Sequence, residues 1–413
     1  MTDGQGRGVA AEPSARPAPV GAVGAPDGEW EFVYFAPIDW GYTWQRPQQL
    51  ASRLARHGRL LYVNPLGIRA PRPQDIRRLA QRMAGRLGRA AEPAPGPGAR
   101  VESLWLYLPF PASPLARRLN AARLRRLVRR WRPRDRGGPR VLWVGTPSAA
   151  VVEALEGLEP ATVVYDCLDH VAAFQPGESG LGEVEARLAT RADVVFATAR
   201  SLYERMRALN PATVWLPNGA DYAHFARARD PGLPVPRDVA GISRPVLGYM
   251  GEIADWFNLE LVDTLARDHP AWHVVLIGVV HTPAAARLLA RPNVHYLGRK
   301  GYADLPAYVG RFDVCLLPFR RTALTDAVNP VKLYEYLAAG RPVVSTPLPE
   351  VARHGDVVTV AEPGEFGAAV ARALRTADDP AAVARRLAVA RENTWERRVE
   401  TILEVLGRTR AGG

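Results

Sequence analysis

From Trp30 onward, short apolar runs and stretches of helical spacing alternate along the chain. β-Rich runs occur at 30–37 (WEFVYFAP), 59–65 (RLLYVNP), 101–110 (VESLWLYLPF), 140–147 (RVLWVGTP), 162–169 (TVVYDCLD), 193–199 (DVVFATA) and 213–219 (TVWLPNG). Helical patterns such as RPQQLASRLARHG (46–58) and SLYERMRALN (201–210) lie between most of them. Strands apolar on both faces, separated by helices, are what a parallel sheet covered on both sides requires. A polar stretch rich in Pro and Gly interrupts the pattern at 220–244, and the alternation then restarts. The second series reads PVLGYMG (245–251), WHVVLIG (272–278), NVHYLG (293–298), DVCLLPF (313–319), PVVST (342–346) and VVTVA (357–361). The pattern predicts an α/β chain with two consecutive doubly wound, Rossmann-like units. Such sheets bind ligands at the carboxyl ends of their strands, so two facing units create a cleft between them.

The expected boundaries are a tail at 1–28, a first unit at 29–221, a linker at 222–244, a second unit at 245–392, and a closing helix and tail at 393–413. The tail is Gly, Ala and Pro with hardly any large apolar side chain, so it is expected to be disordered. It has no basic region followed by an apolar core, so no signal peptide is expected.

Composition adds exclusions. No run approaches about 18 uninterrupted apolar residues, so no membrane-spanning helix is predicted. Two cysteines, Cys167 and Cys315, are too few for a disulfide framework or a cysteine zinc site. Both sit in apolar runs and read as buried reduced thiols, which fits the cytoplasm. Lys and Arg total 54 against 42 Asp and Glu, a net charge of +12 that suggests a polyanionic partner. The arginines cluster in PLARRLNAARLRRLVRRWRPR (114–134), where Leu115, Leu119, Ala122, Leu127 and Trp131 recur at three- to five-residue spacing; IRRLAQRMAGRLGR (76–89) repeats the theme. A basic amphipathic helix reads as an element that docks on an anionic membrane surface, or as an ordinary helix with a solvated arginine face. No zinc-finger or RNA-recognition signature accompanies the charge, so nucleic acid is not an expected partner.

The segment LLPFRRTALTDAVNPVKLYEYLAAGRPVVST (316–346) carries the most chemistry. Asn329 as N-cap and Pro330 at the first position predict a helix start, with Gly340 ending it. Lys332 and Glu335 fall three apart on one face. Read alone, the pair is either a solvated ion pair or half of an anion site. A lysine in the first turn opposes the helix dipole unless an anion binds there, and exposed backbone N–H groups would then share that anion. Glu335, one turn deeper, could accept from ribose hydroxyls. The strand–helix junctions contain no G-x-G-x-x-G, which gives a nicotinamide or flavin enzyme no support.

NPVKLYEYLAAGRPVVSTPLPEV resembles the donor-binding helix of GT-B glycosyltransferases of the bacterial family 4 kind. WLPNGAD (215–221) resembles the turn that ends their first domain. PIDWGYTWQRPQQLASRLARHGRLLYVN (37–64) resembles their first strand–loop–helix–strand, and WERRVETILEVL (395–406) their final helix, which crosses back to the first domain. The likeness covers about residues 30–408. It implies a GT-B fold, a nucleoside-diphosphate-sugar donor, a sugar or lipid-linked acceptor, retention of anomeric configuration, and no cofactor or catalytic metal. Glu335 matches the second glutamate of the family's Glu-x7-Glu motif, the one that holds the donor ribose. The first glutamate falls at Ala327, with Asp326 adjacent but out of register. The loop after the first strand of the second unit, where the family often offers Arg and Lys to the diphosphate, here reads GYMGEIADWFN (248–258). Lys332, with Arg320 or Arg321, is left to neutralise the diphosphate.

The donor-binding candidates are therefore Gly251, Arg320, Arg321, Asn329, Pro330, Lys332, Leu333 and Glu335. In YDCLDH (165–170), Asp169 and His170 are candidates for orienting or deprotonating the acceptor hydroxyl, and together with Lys332 form the catalytic set. Asp166 joins Trp40, Gly41, Trp44 and Arg46 on the acceptor side. In DWGYTWQRP the aromatic residues offer flat faces to a sugar or lipid, or else pack the edge of the unit. The expected activity is glycosyl transfer in cell-envelope glycan or glycolipid synthesis, on the cytoplasmic side and peripherally at the membrane. The alternatives are a nucleotide-sugar epimerase on the same fold and a non-catalytic sugar-nucleotide or membrane-binding protein.

Overall fold

The computed structural model describes residues 30–65, 99–102, 113–131, 138–158, 161–171 and 180–411. The predicted tail, the basic stretch at 76–89 and most of the predicted strand at 101–110 lie outside them.

The first half runs β1 (Trp30–Phe35), α1 (Arg46–Leu54), β2 (Gly58–Val63), β3 (Ala99–Glu102), α2 (Pro114–Arg130), β4 (Arg140–Val144), α3 (Ala149–Leu155), β5 (Thr162–Cys167), α4 (Leu181–Arg191), β6 (Val194–Ala197), α5 (Arg200–Arg207) and β7 (Thr213–Trp215). The second runs β8 (Val246–Met250), α6 (Leu259–Asp268), β9 (His273–Ile277), β10 (Val294–Gly298), β11 (Val314–Leu317), α7 (Val331–Ala338), β12 (Val343–Ser345), β13 (Val358–Val360), α8 (Phe366–Arg375), α9 (Pro380–Glu392) and α10 (Trp395–Ala411), with single-turn helices between.

Seven strands pair in the order β3-β2-β1-β4-β5-β6-β7 and six in the order β10-β9-β8-β11-β12-β13, all parallel. Strand order reverses direction between β1 and β4 and again between β8 and β11. These two switch points are where open parallel sheets leave a crevice at their carboxyl ends.

Alternation along β1 shows why the first sheet is covered on both sides. Val33 and Phe35 join Ala121, Leu124 and Val128 of α2 in one apolar layer. Phe32 and Tyr34 face the other way and join Leu50 and Leu54 of α1 with Trp395, Ile402 and Leu406 of α10. The last helix of the chain thus packs on the first sheet, as the resemblance implied. Each fully buried large apolar side chain contributes roughly 1.5–3 kcal/mol relative to exposure, so several of them make this crossing a fixture of the fold. Where the chain crosses, the Ala220 amide donates to the Asn393 carbonyl and the Trp395 amide to the Ala220 carbonyl. A Cβ on Gly219 would lie 2.8 Å from the backbone of Thr394, so the close approach requires glycine. Both cysteines are free and buried, as expected.

Helix α2 departs from its predicted pattern. Ala116, Asn120, Leu124, Val128 and Trp131 are buried, and Arg59 lies over the Trp131 ring. Leu115, Leu119 and Ala122 point outward with the arginines. The expected apolar stripe therefore mixes two faces: the sheet selects the i, i+4 row that starts at Ala116, and the leucines one position off that row are left in solvent.

Candidate active site

The second switch point assembles the donor-side candidates. Helix α7 begins one residue later than expected: Pro330 is the N-cap and Val331 the first helical residue. The Leu333 amide turns back to the Pro330 carbonyl, while the amides of Val331 and Lys332 have no carbonyl partner among the described residues. Beside this helix start runs the loop after β8. Gly251 has φ +148, and a Cβ there would sit 2.0 Å from Lys332 Cε, so only glycine lets the lysine side chain lie along the loop. Its Nζ sits 5.8 Å from the Tyr249 ring centre and 5.9 Å from that of Phe319. Glu335 is 7% exposed and its carboxylate accepts no hydrogen bond from the described residues. Burial drives Glu335 upward from the ordinary carboxylate range, with Lys332 pulling it down, and burial likewise drives the Lys332 ammonium down. A buried carboxylate beside a half-buried ammonium, neither with a hydrogen-bond partner among the described residues, can receive a polar ligand.

The remaining donor-side candidates divide. Arg320 is exposed, and its amide bonds the Trp256 carbonyl at 2.8 Å, tying the loop after β11 to the loop after β8. Arg321 is paired with Asp326 at 3.1 Å on the surface. Leu333 is fully buried in the second core, a correction to its place among the donor contacts. Asn329 does not cap the helix. Its Oδ1 accepts from the Asn218 amide at 2.9 Å, its carbonyl accepts from Asn218 Nδ2 at 2.6 Å, and its Nδ2 donates to Glu350 Oε2 at 3.3 Å. Ala327, where the family's first glutamate would stand, is 3% exposed and belongs to the apolar cluster of the first domain. A carboxylate here would be buried at the domain boundary, which gives the alanine a packing reason.

On the first sheet, a cavity of about 290 Å³ opens where β1, β2, β4 and β5 end. Pro37, Ile38, Val63 and Leu168 are among its apolar walls, and Asn64, Asp169 and others give it polar points. Asp169 is exposed on this cavity and His170 beside it is half-buried. Three acceptor-side expectations are corrected. Arg46 and Asp166 face each other at 2.8 Å with 3% and 0% of their side chains exposed. Arg46 also donates to the carbonyls of Leu216 and Pro217 and to Asn218 Oδ1, so the pair braces the turn after β7 and cannot meet an acceptor. Trp40 is likewise buried, packed edge-on against Trp44 and Tyr62. Trp44 reaches the second domain, 5.9 Å from the Tyr302 ring. Gly41 is exposed in the same loop.

Residue reading missed most of the contacts between the domains. Tyr42 Oη donates to Glu252 at 2.5 Å, and Gln49 donates to Tyr302 Oη at 2.7 Å. Glu350 accepts from the Arg200 amide at the start of α5. Arg398 of α10 donates to the carbonyls of Pro217 and Asn218. Only Asn218 carried a signal, its place in WLPNGAD.

Residues 244–377 match the family model described as Glycosyl transferases group 1. The match to that family thus spans the second domain. It is 27% identical over 288 residues to the putative teichuronic acid biosynthesis glycosyltransferase TuaH of Bacillus subtilis (strain 168), over 64% of this chain and 71% of that one. Among solved structures it is similar to Anabaena HepE in complex with UDP and glucose, with TM-score 0.60 and 16% identity over 92% of this chain and 99% of that chain. It is also similar to sucrose-phosphate synthase from Thermosynechococcus elongatus, with TM-score 0.63 and 14% identity over 94% and 100% of the two chains. The architecture is GT-B.

Proposed function

We propose that this glycosyltransferase moves a hexose from a nucleoside-diphosphate sugar to an acceptor hydroxyl, with retention, in the synthesis of a cell-envelope glycan or glycolipid. The observation that carries the reading is the pair at the start of α7, a buried Glu335 and a half-buried Lys332 with no side-chain hydrogen-bond partner among the described residues, against the loop that follows β8. The diphosphate would meet the Lys332 ammonium and the free amides of the helix start, which stabilise charge as it develops on the leaving group. The ribose hydroxyls would donate to Glu335. The acceptor would enter from the cavity on the first sheet, where Asp169 lines the wall and His170 follows it in sequence, to orient or deprotonate its hydroxyl.

Two likenesses support the donor and the setting. A neighbour of the same fold is known in complex with UDP-glucose, and the Bacillus relative carries a teichuronic acid biosynthesis name. Because Lys332 and the helix start supply the positive charge, activity is expected to survive EDTA; loss on chelation with recovery on adding Mg²⁺ or Mn²⁺ would contradict this. The exposed Leu115 and Leu119 among arginines of α2 favour a peripheral position on an anionic membrane.

The test is turnover of a panel of UDP-, GDP-, dTDP- and ADP-sugars with and without cell-envelope lipid extract. Transfer that requires the extract supports the reading. Donor consumption without it, yielding an epimer, would replace transfer by epimerisation, and binding without any turnover would leave a non-catalytic protein.

A further inference from the structure

The loop after β8 places a carboxylate, Glu252, next in sequence to the glycine against which Lys332 lies. An acid beside the ammonium that has to meet a diphosphate is a competitor for it, since a carboxylate and a phosphate seek the same charge. The backbone here cannot move the acid away. Ile253 donates to the Val279 carbonyl, His281 donates to the Ile253 carbonyl, and the Glu252 carbonyl accepts from Tyr249 Oη at 2.8 Å. Only the Glu252 side chain has freedom, and it is held at both oxygens. Oε1 accepts from Tyr42 Oη at 2.5 Å, and Oε2 lies 3.4 Å from His281 Nε2. Tyr42 belongs to the other domain, on the loop between β1 and α1, and its ring also lies under the Arg299 guanidinium at 5.8 Å. The bond therefore exists only while the two domains are together on this side of the cleft.

We infer that Tyr42 is a positioning residue for donor binding: by taking the Glu252 carboxylate, it keeps that carboxylate off Lys332 and leaves the ammonium to the donor diphosphate. When the domains part, Glu252 loses its tyrosine partner and is free to turn toward Lys332, which lies along the same loop. Donor affinity is thereby tied to domain contact through a single hydroxyl. The inference rests on the donor reading above and adds to it a carboxylate that opposes binding and a residue that restrains it.

The experiment is calorimetric titration of UDP, GDP, dTDP and ADP into the full-length protein, carrying forward the one the wild type binds most tightly. If none binds, the donor reading itself fails. With a bound nucleotide in hand, Tyr42→Phe keeps the ring over Arg299 and removes only the hydroxyl. It is expected to weaken binding about fivefold, the scale of one hydrogen bond. Glu252→Gln added to Tyr42→Phe removes the competing charge and is expected to return affinity to within about twofold of the wild type or better. A merely structural role for Tyr42 would not be rescued by a change at a second residue. Unchanged affinity in Tyr42→Phe, or a double variant as weak as the single one, would overturn the inference while leaving the donor site standing.

Discussion

Glu335 is buried and Lys332 half-buried on one turn of helix, neither side chain has a hydrogen-bond partner among the described residues, and burial disfavours each charge. Two limbs follow for nucleotide binding. On the proposed roles, as pH falls through the raised Glu335 range the carboxylate would become neutral and accept more weakly from ribose. As pH rises through the lowered Lys332 range, the ammonium would be lost and the diphosphate released. The stability signs differ from the usual surface case. A raised carboxyl favours the fold only at pH low enough to keep it protonated, and that contribution disappears as pH climbs past its folded value. Glu335→Gln is expected to weaken nucleotide binding by about ten- to a hundredfold at neutral pH, the scale of a charged hydrogen bond, and to flatten the acid limb beyond the ligand's own titration. Titration across pH 5–9 checks it, and an acid limb identical in wild type and variant would count against the ribose role. Gly251→Ala addresses the same pair from the loop. Its Cβ would fall 2.7 Å from Lys332 Nζ, so the lysine must leave its place. Nucleotide affinity should fall about tenfold or more with the loss of a charged contact, and unchanged affinity would mean that the lysine does its work from another position.

At the scale of elements, the turn after β7 is a junction. Asn218 exchanges two hydrogen bonds with Asn329 just before α7, accepts from Arg46 of α1 and, through its carbonyl, from Arg398 of α10. Beyond Asn329 the chain of bonds continues through Glu350 to the start of α5. Truncating a residue at the centre of a buried network strands its partners, at about 1–3 kcal/mol each. Asn218→Ala is therefore expected to lower the free energy of unfolding by several kcal/mol in urea titration; a change near zero would mean that water replaces the amide. This junction also marks the limit of what the sequence made legible. The strands, the two sheets and the chemistry of α7 follow from local signals: apolar runs, a proline at a helix start, a Lys and a Glu three apart. Arg46 and Asp166 were legible as polar residues near a cleft, but 120 positions separate them, and nothing local reveals that each neutralises the other. Leu333 differs from Glu335 only in which way the helix faces. The apolar residues of α2 could be counted in sequence, whereas the row the sheet would bury could not.

For the whole molecule, the net charge of +12 has a location that matters more than its size. On α2 the outward face carries Leu115 at 68% and Leu119 at 41% exposure, with Arg118, Arg126 and Arg130 exposed around them. Not all its arginines are available. Arg125 donates to the Glu153 carbonyl, Arg129 to the Gly157 carbonyl, and Arg117 is paired with Glu153 at 2.7 Å, so these three staple the helix to α3 and the turn after it. A headgroup layer would meet Arg118, Arg126, Arg130 and the two leucines. Each arginine contributes about 1 kcal/mol at an anionic surface, within a Debye length of roughly 8 Å at physiological salt. The sum would be reversible association, as the proposed transfer to a lipid-linked acceptor requires. The wild type is expected to sediment with phosphatidylglycerol-rich vesicles at low salt and to leave them as salt rises. Replacing Arg118, Arg126 and Arg130 by glutamine and Leu115 and Leu119 by serine should abolish sedimentation without lowering the thermal midpoint, because none of the five packs in the core. Replacing Arg125 and Arg129 should instead lower the midpoint, because it unpins α2 from α3. A wild type that ignores anionic vesicles even at low salt would remove the membrane from the proposal and point to a water-soluble acceptor.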